Sequence, residues 1–571
     1  MGFTLIAYAV LGAVLFYHQV LAGARWAEQA AAVHSRSTAL YEIPRGNILD
    51  RNGTPLTGTN AEWALYALPQ VIRNFHQTVE ELGKRAGWDG REVAITERRL
   101  MRAVKRGESL TRLKLPVTVY ERQQLTRKPV PGVVLLPVLR RYDDNGLACH
   151  LLGEVRLQEN WRRQRTPDSA SGWEGEWVGV SGIEKRYDEV LRGSREREGG
   201  RVAIMVDARG NPIPGLRPRV QLVDQQSKEL DVVLTLDQRV QRLAEEVMDR
   251  RVRKGAVVVM DIASSDILAV ASRPAFNHYR ETKSLEDEKD SPFLNRALAL
   301  YHPGSIFKLV VAAAALDEKV VSLNETWNCT GSYSLNDRVS IRCWKHEGHG
   351  RLRLDQGLAA SCNSVFIQVG LKLGRERLVR YADQLHLTEN EIIGYPGLEC
   401  QGYVRIEPGP AALGNASIGQ EGVMLSPVQV ASLLATVADD GRWAPPRLVR
   451  GVRRADGRWE KRFDSMPKQQ VIKPETARKL QDMLELAVKE GTGKRAGLEW
   501  CQAAGKTASS QTGRLDQAGK EIIDAWFAGY LPAENPRWVI VVLAEEAVSG
   551  GESAAPVFRE IGNELWRLFS G

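Results

Sequence analysis

Tyr301-His302-Pro303-Gly304-Ser305-Ile306-Phe307-Lys308 runs directly into the helix-forming stretch Leu309 to Leu316, and the reading of this junction decides the rest of the chain. A residue three positions on lies one turn away on the same helical face, so the Lys308 amine can hydrogen-bond the Ser305 hydroxyl. If burial and a second cation lower the pKa of that amine, it can take the hydroxyl proton, and N–H groups at the helix N-terminus can receive a developing oxyanion. Ser305 is therefore a candidate nucleophile and Lys308 its candidate base. Alone, Ser-x-x-Lys is a weak pattern, and its bland reading is a solvated helix face. It recurs at Ser465-Met466-Pro467-Lys468, where the internal proline and polar surroundings argue against a helix.

Two further elements lie downstream. Ser361-Cys362-Asn363 leads straight into the apolar run Val365 to Leu373, whereas the Ser-x-Asn patterns at Ser322 and Ser334 do not. Lys506-Thr507 is the only Lys-Thr pair in the chain and falls on an expected strand, Gln502 to Gln511. Each element by itself is explicable as ordinary surface, but their order and settings together are hard to obtain by accident.

The flanks supply a sheet. Ala256 to Met260 and Ile267 to Ala271 are apolar runs joined by the turn-like Ala263-Ser264-Ser265-Asp266, which reads as a hairpin of buried strands. Gln502 to Gln511, Ala525 to Tyr530 and Trp538 to Ala544 add three strands, and Val557, Ile561, Leu565 and Leu568 recur at helical spacing in a closing helix. Two strands, a long mainly helical insert, three strands and a helix predict an α+β layering, an antiparallel sheet covered by helices on both faces.

This motif set resembles that of the penicillin-recognising serine transpeptidases, S-x-x-K, S-x-N and K-T-G, and specifically the class B penicillin-binding proteins. The resemblance covers nearly the whole chain. Arg45-Gly46-Asn47-Ile48-Leu49-Asp50-Arg51-Asn52-Gly53 looks like the family's R-G-x-I-x-D-R-x-G opening of the pedestal domain, and Gly182 to Gly193 is similar to its second pedestal signature. Gly419-Gln420-Glu421, Ser426-Pro427-x-Gln429, Trp526 to Tyr530, and Gly551 through Ala554 to Phe558 also match. The block Ile341 to Lys345, with Gly348-His349-Gly350 and the Ser361 motif after it, looks most like sporulation-specific, cortex-building members and related division transpeptidases of endospore-formers.

The resemblance implies a five-stranded antiparallel transpeptidase fold on a pedestal, or dimerisation-type, domain, and a serine-type D,D-transpeptidase that crosslinks peptidoglycan. Ser305 would attack the penultimate D-alanine carbonyl of a stem peptide, with Lys308 as general base and Ser361 relaying protons. Asn363 would hold the stem backbone, and Lys506 and Thr507 would engage the terminal carboxylate. The N–H groups of Ser305 and Ser509 would form the oxyanion hole. β-Lactams would acylate Ser305, a membrane glycosyltransferase is the expected partner, and no cofactor or metal is required. One departure stands out: Ala508 replaces the usual Gly, which would narrow the cleft, reshape β-lactam affinity or be tolerated. A catalytically impaired scaffold of a wall-synthesis complex is the alternative.

Composition agrees with a large globular protein. The 571 residues are 43% hydrophobic and 26% charged, which excludes wholesale disorder and a polytopic membrane protein. The 78 Lys and Arg against 70 Asp and Glu leave a net charge of +8 without a long basic run, so nucleic acid is not implied. Phe3 to Leu21 carries no charge and reads as a single-pass membrane anchor, although Ala22-Gly23-Ala24 also fits a signal-peptidase site; both readings place the catalytic domain outside the cytoplasm. The expected domains are the anchor at 1–24, the pedestal at 25–228 and the transpeptidase domain at 229–571. The boundary rests on the Pro- and Gly-containing polar segment Asp207 to Lys228, and Arg156 to Trp177 reads as an exposed loop. No wall-binding module is expected beyond Gly571.

The six cysteines are too few for a disulfide scaffold. Cys329 and Cys343 look like a pair. With His346 and His349 they also have a zinc-like spacing, so a disulfide, a metal site and unpaired thiols all remain open.

Overall fold

The computed structural model describes residues 2–18, 22, 35–39 and 45–570, apart from 59, 70–71, 107, 109, 143–145, 159–175, 193–200, 206–218, 222–229, 279–289, 336–338, 390, 396–401 and 455. Helix α1 (Gln238–Arg251) begins under an Asp237 side chain that accepts from the Arg239 N–H. It leads into the hairpin β1 (Gly255–Asp261) and β2 (Ile267–Arg273), whose turn is pinned by Asp261 accepting from the Ser264 amide and hydroxyl.

The elements that build the sheet and frame the site follow in chain order: α2 (Lys308–Asp317), α3 (Asn363–Leu373), α4 (Pro427–Ala438), β3 (Ala504–Leu515), β4 (Glu521–Leu531), β5 (Trp538–Ala547) and α5 (Ala555–Ser570). The five strands form one antiparallel sheet in the order β2-β1-β5-β4-β3. Strand residues alternate between its two faces. Ala256, Val258 and Met260 join Trp526, Val541 and Leu543 in one core, whereas Val257 and Val259 join Phe527, Ile540 and Val542 in the other. Because both faces are covered, the strands read as unbroken apolar runs instead of alternating ones.

Helices α1 and α5 close the second face through Val240, Ala244, Val247, Val557, Phe558 and Ile561. Helix α4 crosses the first face, started by Pro427 and a capping box in which Ser426 and Gln429 satisfy each other's backbone N–H groups. The nearly all-apolar α2 is sandwiched on the same side, every residue from Lys308 to Leu316 being buried. The candidate nucleophile thus sits at the mouth of the larger core, against the edge strand β3.

Upstream, a three-stranded sheet with Asn60–Ala67 between Thr111–Lys114 and Val133–Arg140 packs on helices Phe75–Ala86, Gly90–Arg106 and Val119–Arg127. Two signature segments join it to the sheet domain. Ile48 and Leu49 pair in parallel with Val232 and Val233. Asp50 is buried and accepts from the amides of Asn52, Thr54 and Gln238, with Gly53 at φ 84° closing the turn. Arg45 meets Glu184 at 2.9 Å and Asp188 at 3.0 Å, bringing the two pedestal signatures together.

The N-terminal helix Gly2–Phe16 has 15 residues, about 22 Å at 1.5 Å per residue. No helix among the described residues is long and apolar enough to cross a membrane. Most of the expected loop Arg156 to Trp177, and nearly all of the segment Asp207 to Lys228, lie outside the described residues; the ends of the loop pair as strands Val155–Gln158 and Glu176–Gly179. Lys468 of the second Ser-x-x-Lys lies outside any helix and bonds the Ile262 carbonyl and Asp439, so that pattern is a surface tether.

Candidate active site

Ser305 lies in a single 3-10 turn, Gly304–Ile306, immediately ahead of α2. Gly304 has φ 54°, and a Cβ there would stand 3.2 Å from Ala508 Cβ and 3.3 Å from Ser510 Cβ, so only glycine lets the turn lie this close to β3. Its N–H donates to the Gly419 carbonyl at 2.9 Å. Gly419, at φ 73°, is equally constrained, since a Cβ on it would strike Gly304 O. Ser305 is left half-buried, and Lys308 is fully buried one turn below.

The Lys308 amine donates to the Ser361 carbonyl at 2.8 Å and to Asn363 Oδ1 at 2.7 Å. Ser361 reaches this position through a left-handed backbone, φ 54°, which turns its carbonyl toward the lysine and starts α3 two residues on. Asn363 Nδ2 donates to the Arg342 carbonyl at 3.0 Å, fixing the amide so that its oxygen faces the amine. Burial pushes the Lys308 amine down to about 8, against a raising influence from the Cys362 and Cys343 thiols. Lys506, also fully buried, is held well below the usual lysine range, first by burial and then by the charge of Lys308. Two buried amines that feel each other cannot both stay protonated cheaply, so the pair gives up a proton more readily than exposed lysines do.

Edge strand β3 carries the third motif. Lys506 Nζ donates to the Thr507 carbonyl at 2.9 Å, and the Thr507 hydroxyl lies 2.6 Å from that of Thr492. Ser509 is exposed on the strand edge and its hydroxyl accepts from the Gly550 N–H at 3.1 Å. The Ala508 methyl is buried under Gly304. Gly419 belongs to a signature that the sequence shows, whereas Thr492 and Gly550 are positioning residues that it does not mark. Gly550 is required because a Cβ would stand 2.4 Å from the carbonyls of both Ala508 and Trp526, and no spacing in the sequence marks these contacts.

For Cys329 and Cys343 the sequence leaves a disulfide, a metal site and unpaired thiols open. Both are free thiols, and their sulfurs each face His349 Nδ1, at 3.6 and 3.5 Å. The third thiol of the group is Cys362, inside the second motif, 3.9 Å from Cys343 Sγ. His346, expected with them, is exposed and outside the group.

The penicillin-binding protein transpeptidase domain family matches residues 255–563, and the penicillin-binding protein dimerisation domain family matches residues 41–226. Stage V sporulation protein D of Bacillus subtilis is 26% identical over 98% of this chain and 83% of its own length. The peptidoglycan D,D-transpeptidase MrdA of Haemophilus influenzae is 27% identical over 90% of this chain and 83% of its own. A solved complex of penicillin-binding protein PBP2 with MreC from Helicobacter pylori superposes with TM-score 0.68 at 22% identity, covering 94% of this chain and 99% of that one. The fold is therefore shared along the length of both parts, and the chain belongs to the penicillin-binding protein transpeptidase family.

Proposed function

We propose that the chain is a peptidoglycan D,D-transpeptidase in which Ser305 is the acylated serine. The observation that supports this is that the Lys308 amine, one turn below half-buried Ser305, is held by the Ser361 carbonyl and Asn363 Oδ1 and lies close enough to Lys506 for its charge to act there. In this reading neutral Lys308 takes the Ser305 proton as Oγ attacks the penultimate D-alanine carbonyl of a stem peptide. The Ser305 and Ser509 N–H groups receive the oxyanion, and the C–N bond breaks as the leaving amine of the terminal D-alanine regains a proton relayed through the Lys308, Ser361 and Lys506 group. An amine of a neighbouring stem then attacks the ester, regenerating Ser305 and closing the crosslink. Asn363 orients the stem backbone, and Lys506 with Thr507 holds the terminal carboxylate.

The same reading assigns residues 1–24 to a membrane anchor, 25–228 to the pedestal and 229–571 to the transpeptidase domain. It places the last of these outside the cytoplasm, where a membrane glycosyltransferase would supply glycan strands. The scaffold alternative is not favoured, since relatives along most of the chain are named as D,D-transpeptidases. Full-length protein in detergent should take up fluorescent penicillin covalently, and Ser305→Ala should not. Equal labelling of the two proteins would remove Ser305 from the reaction.

A further inference from the structure

We infer that Cys329, Cys343, His349 and Cys362 form a closed zinc site that fastens the second motif to the loop beyond the nucleophile helix. Their ligand atoms all lie within 4.8 Å of one another. Four ligands set tetrahedrally on zinc, with Zn–S about 2.3 Å and Zn–N about 2.05 Å, stand about 3.8 Å apart sulfur to sulfur and about 3.6 Å sulfur to nitrogen. The group shows 3.9 Å for Cys343 to Cys362, and 3.6 and 3.5 Å from His349 Nδ1 to Cys329 and Cys343. Cys329, Cys343 and Cys362 are all buried, and a thiol is a weak hydrogen-bond donor, so three of them around one imidazole nitrogen make a poor hydrogen-bond cluster. They make a good soft-donor set, and a Cys3His tetrahedron selects zinc.

The backbone is shaped to bring these atoms together. Cys329 ends the strand Thr326–Cys329, which pairs with Gly350–Arg353 so that Cys329 stands opposite Gly350, next to His349. Gly331 at φ 97° and Gly348 at φ 85° allow backbone contacts that a Cβ would block, 1.9 Å from His346 O and 2.4 Å from Cys329 O respectively. The Cys343 N–H donates to the Gly331 carbonyl at 2.9 Å. Trp344 lies edge-on to the His349 ring and its indole N–H donates to the Ala360 carbonyl at 2.9 Å, tying the loop to the segment just ahead of Ser361.

The consequence reaches the site already described. Three ligands belong to the 329–349 loop, and the fourth is the middle residue of Ser361-Cys362-Asn363, whose two neighbours hold the Lys308 amine. With four protein ligands there is no open position for substrate or water, so the metal acts as a brace and not as a Lewis acid. A disulfide could join only two of the three thiols and would leave the third and the imidazole without a role.

The test uses full-length protein in detergent, purified without chelators. Elemental analysis should find on the order of one zinc per chain, and exchange for Co(II) should give thiolate-to-cobalt charge-transfer absorption with intense tetrahedral ligand-field bands. Cys343→Ser and Cys362→Ser should each lower zinc content about tenfold or more, whereas His346→Ala, at the exposed histidine, should keep it. Ser305→Ala should also keep it, which separates this inference from the assignment of the nucleophile. A folded wild-type chain that binds neither zinc nor Co(II), or peptide mapping that finds Cys343 in a disulfide in metal-free protein, overturns the inference. So does zinc retained in both cysteine variants. If those variants do not fold, the Co(II) spectrum of the wild-type chain decides alone.

Discussion

The Nζ atom of Lys308 is held between the Ser361 carbonyl at 2.8 Å and Asn363 Oδ1 at 2.7 Å, so the amine of the first motif, the base in the proposed mechanism, is oriented by the turn of the second. Asn363→Ala removes one of these two acceptors and frees the amine to leave the position from which the proposed mechanism has it deprotonate Ser305. Acylation by fluorescent penicillin, followed as a second-order rate constant, is expected to fall about tenfold to a hundredfold, while the unfolding midpoint moves little because Asn363 lies at the start of α3 and not in the core. An unchanged rate would falsify the orienting role.

The pH dependence follows from burial. The Lys308 pKa is pushed down to about 8, and the groups facing it are the Cys362 and Cys343 thiols, the Phe366 ring and Lys506, itself held well below its usual range. In the proposed mechanism Lys308 acts as a neutral base, so the acylation rate should climb about tenfold per pH unit below pH 8 and level off above it. Stability carries the same sign. Because the folded pKa lies below the unfolded value near 10.4, the unfolded chain binds the extra proton between the two values. The penalty of burying Lys308 is thus fully present below pH 8 and is relieved as pH rises toward 10.4. A rate that falls through this window would assign the base elsewhere.

How much of this was legible depends on whether local pattern or tertiary geometry decides. Strands β1 and β5 could be read because burial on both faces leaves unbroken apolar runs, and α2 because Leu309 to Leu316 has no polar interruption. The three motifs could be found because their residue types stand at fixed spacing on expected elements, but the sequence gives no sign that the Lys308 amine turns to the Ser361 carbonyl and Asn363 Oδ1. The contribution of Ser361 through its carbonyl could not, since it arises from a left-handed φ that no residue type announces. Nor could the choice of His349 over His346, or the inclusion of Cys362, because both depend on how the 329–353 loop folds back on α3. Thr492 has no pattern at all; it matters only because the segment after helix Pro474–Lys489 places its hydroxyl on Thr507.

Ala508 and Gly304 should behave as a coupled pair. The Ala508 methyl fills the space against the backbone of Gly304, so Ala508→Gly loses buried contact and gains backbone freedom, a cost of about 1 kcal/mol, with acylation changed by less than about fivefold. Gly304→Ala sets a methyl 3.2 Å from that of Ala508 at a positive φ, and should lower both stability, by about 1–3 kcal/mol, and labelling. Combining the two changes should recover the steric part of the loss but not the backbone part. Strict additivity of the two effects in a double-mutant cycle would show that the methyls do not meet.

Glu184 supplies a prediction away from the reacting groups. Its fully buried carboxylate accepts from Arg45 Nη2 at 2.9 Å, from Arg141 Nε at 2.6 Å and from the Tyr142 hydroxyl at 3.2 Å, while Arg45 also donates to the Trp177 carbonyl at 3.0 Å. Removing the carboxylate leaves Arg45 with Asp188 and the Trp177 carbonyl, and Arg141 with the Gly46 carbonyl, in a poorly solvated junction that has lost its central negative charge. Glu184→Ala should therefore cost on the order of 3–5 kcal/mol. Asp188→Asn should cost less, since Asp188 is more exposed and the amide oxygen that replaces its carboxylate can still accept from the Gly179 N–H. Because Glu184 contacts none of Ser305, Lys308, Ser361 or Lys506, the folded fraction of Glu184→Ala should acylate at the wild-type rate. Denaturant midpoints measured beside the penicillin labelling rate separate the two effects: a slowed rate with an unmoved midpoint would make Glu184 part of the chemistry and not of the frame that carries it.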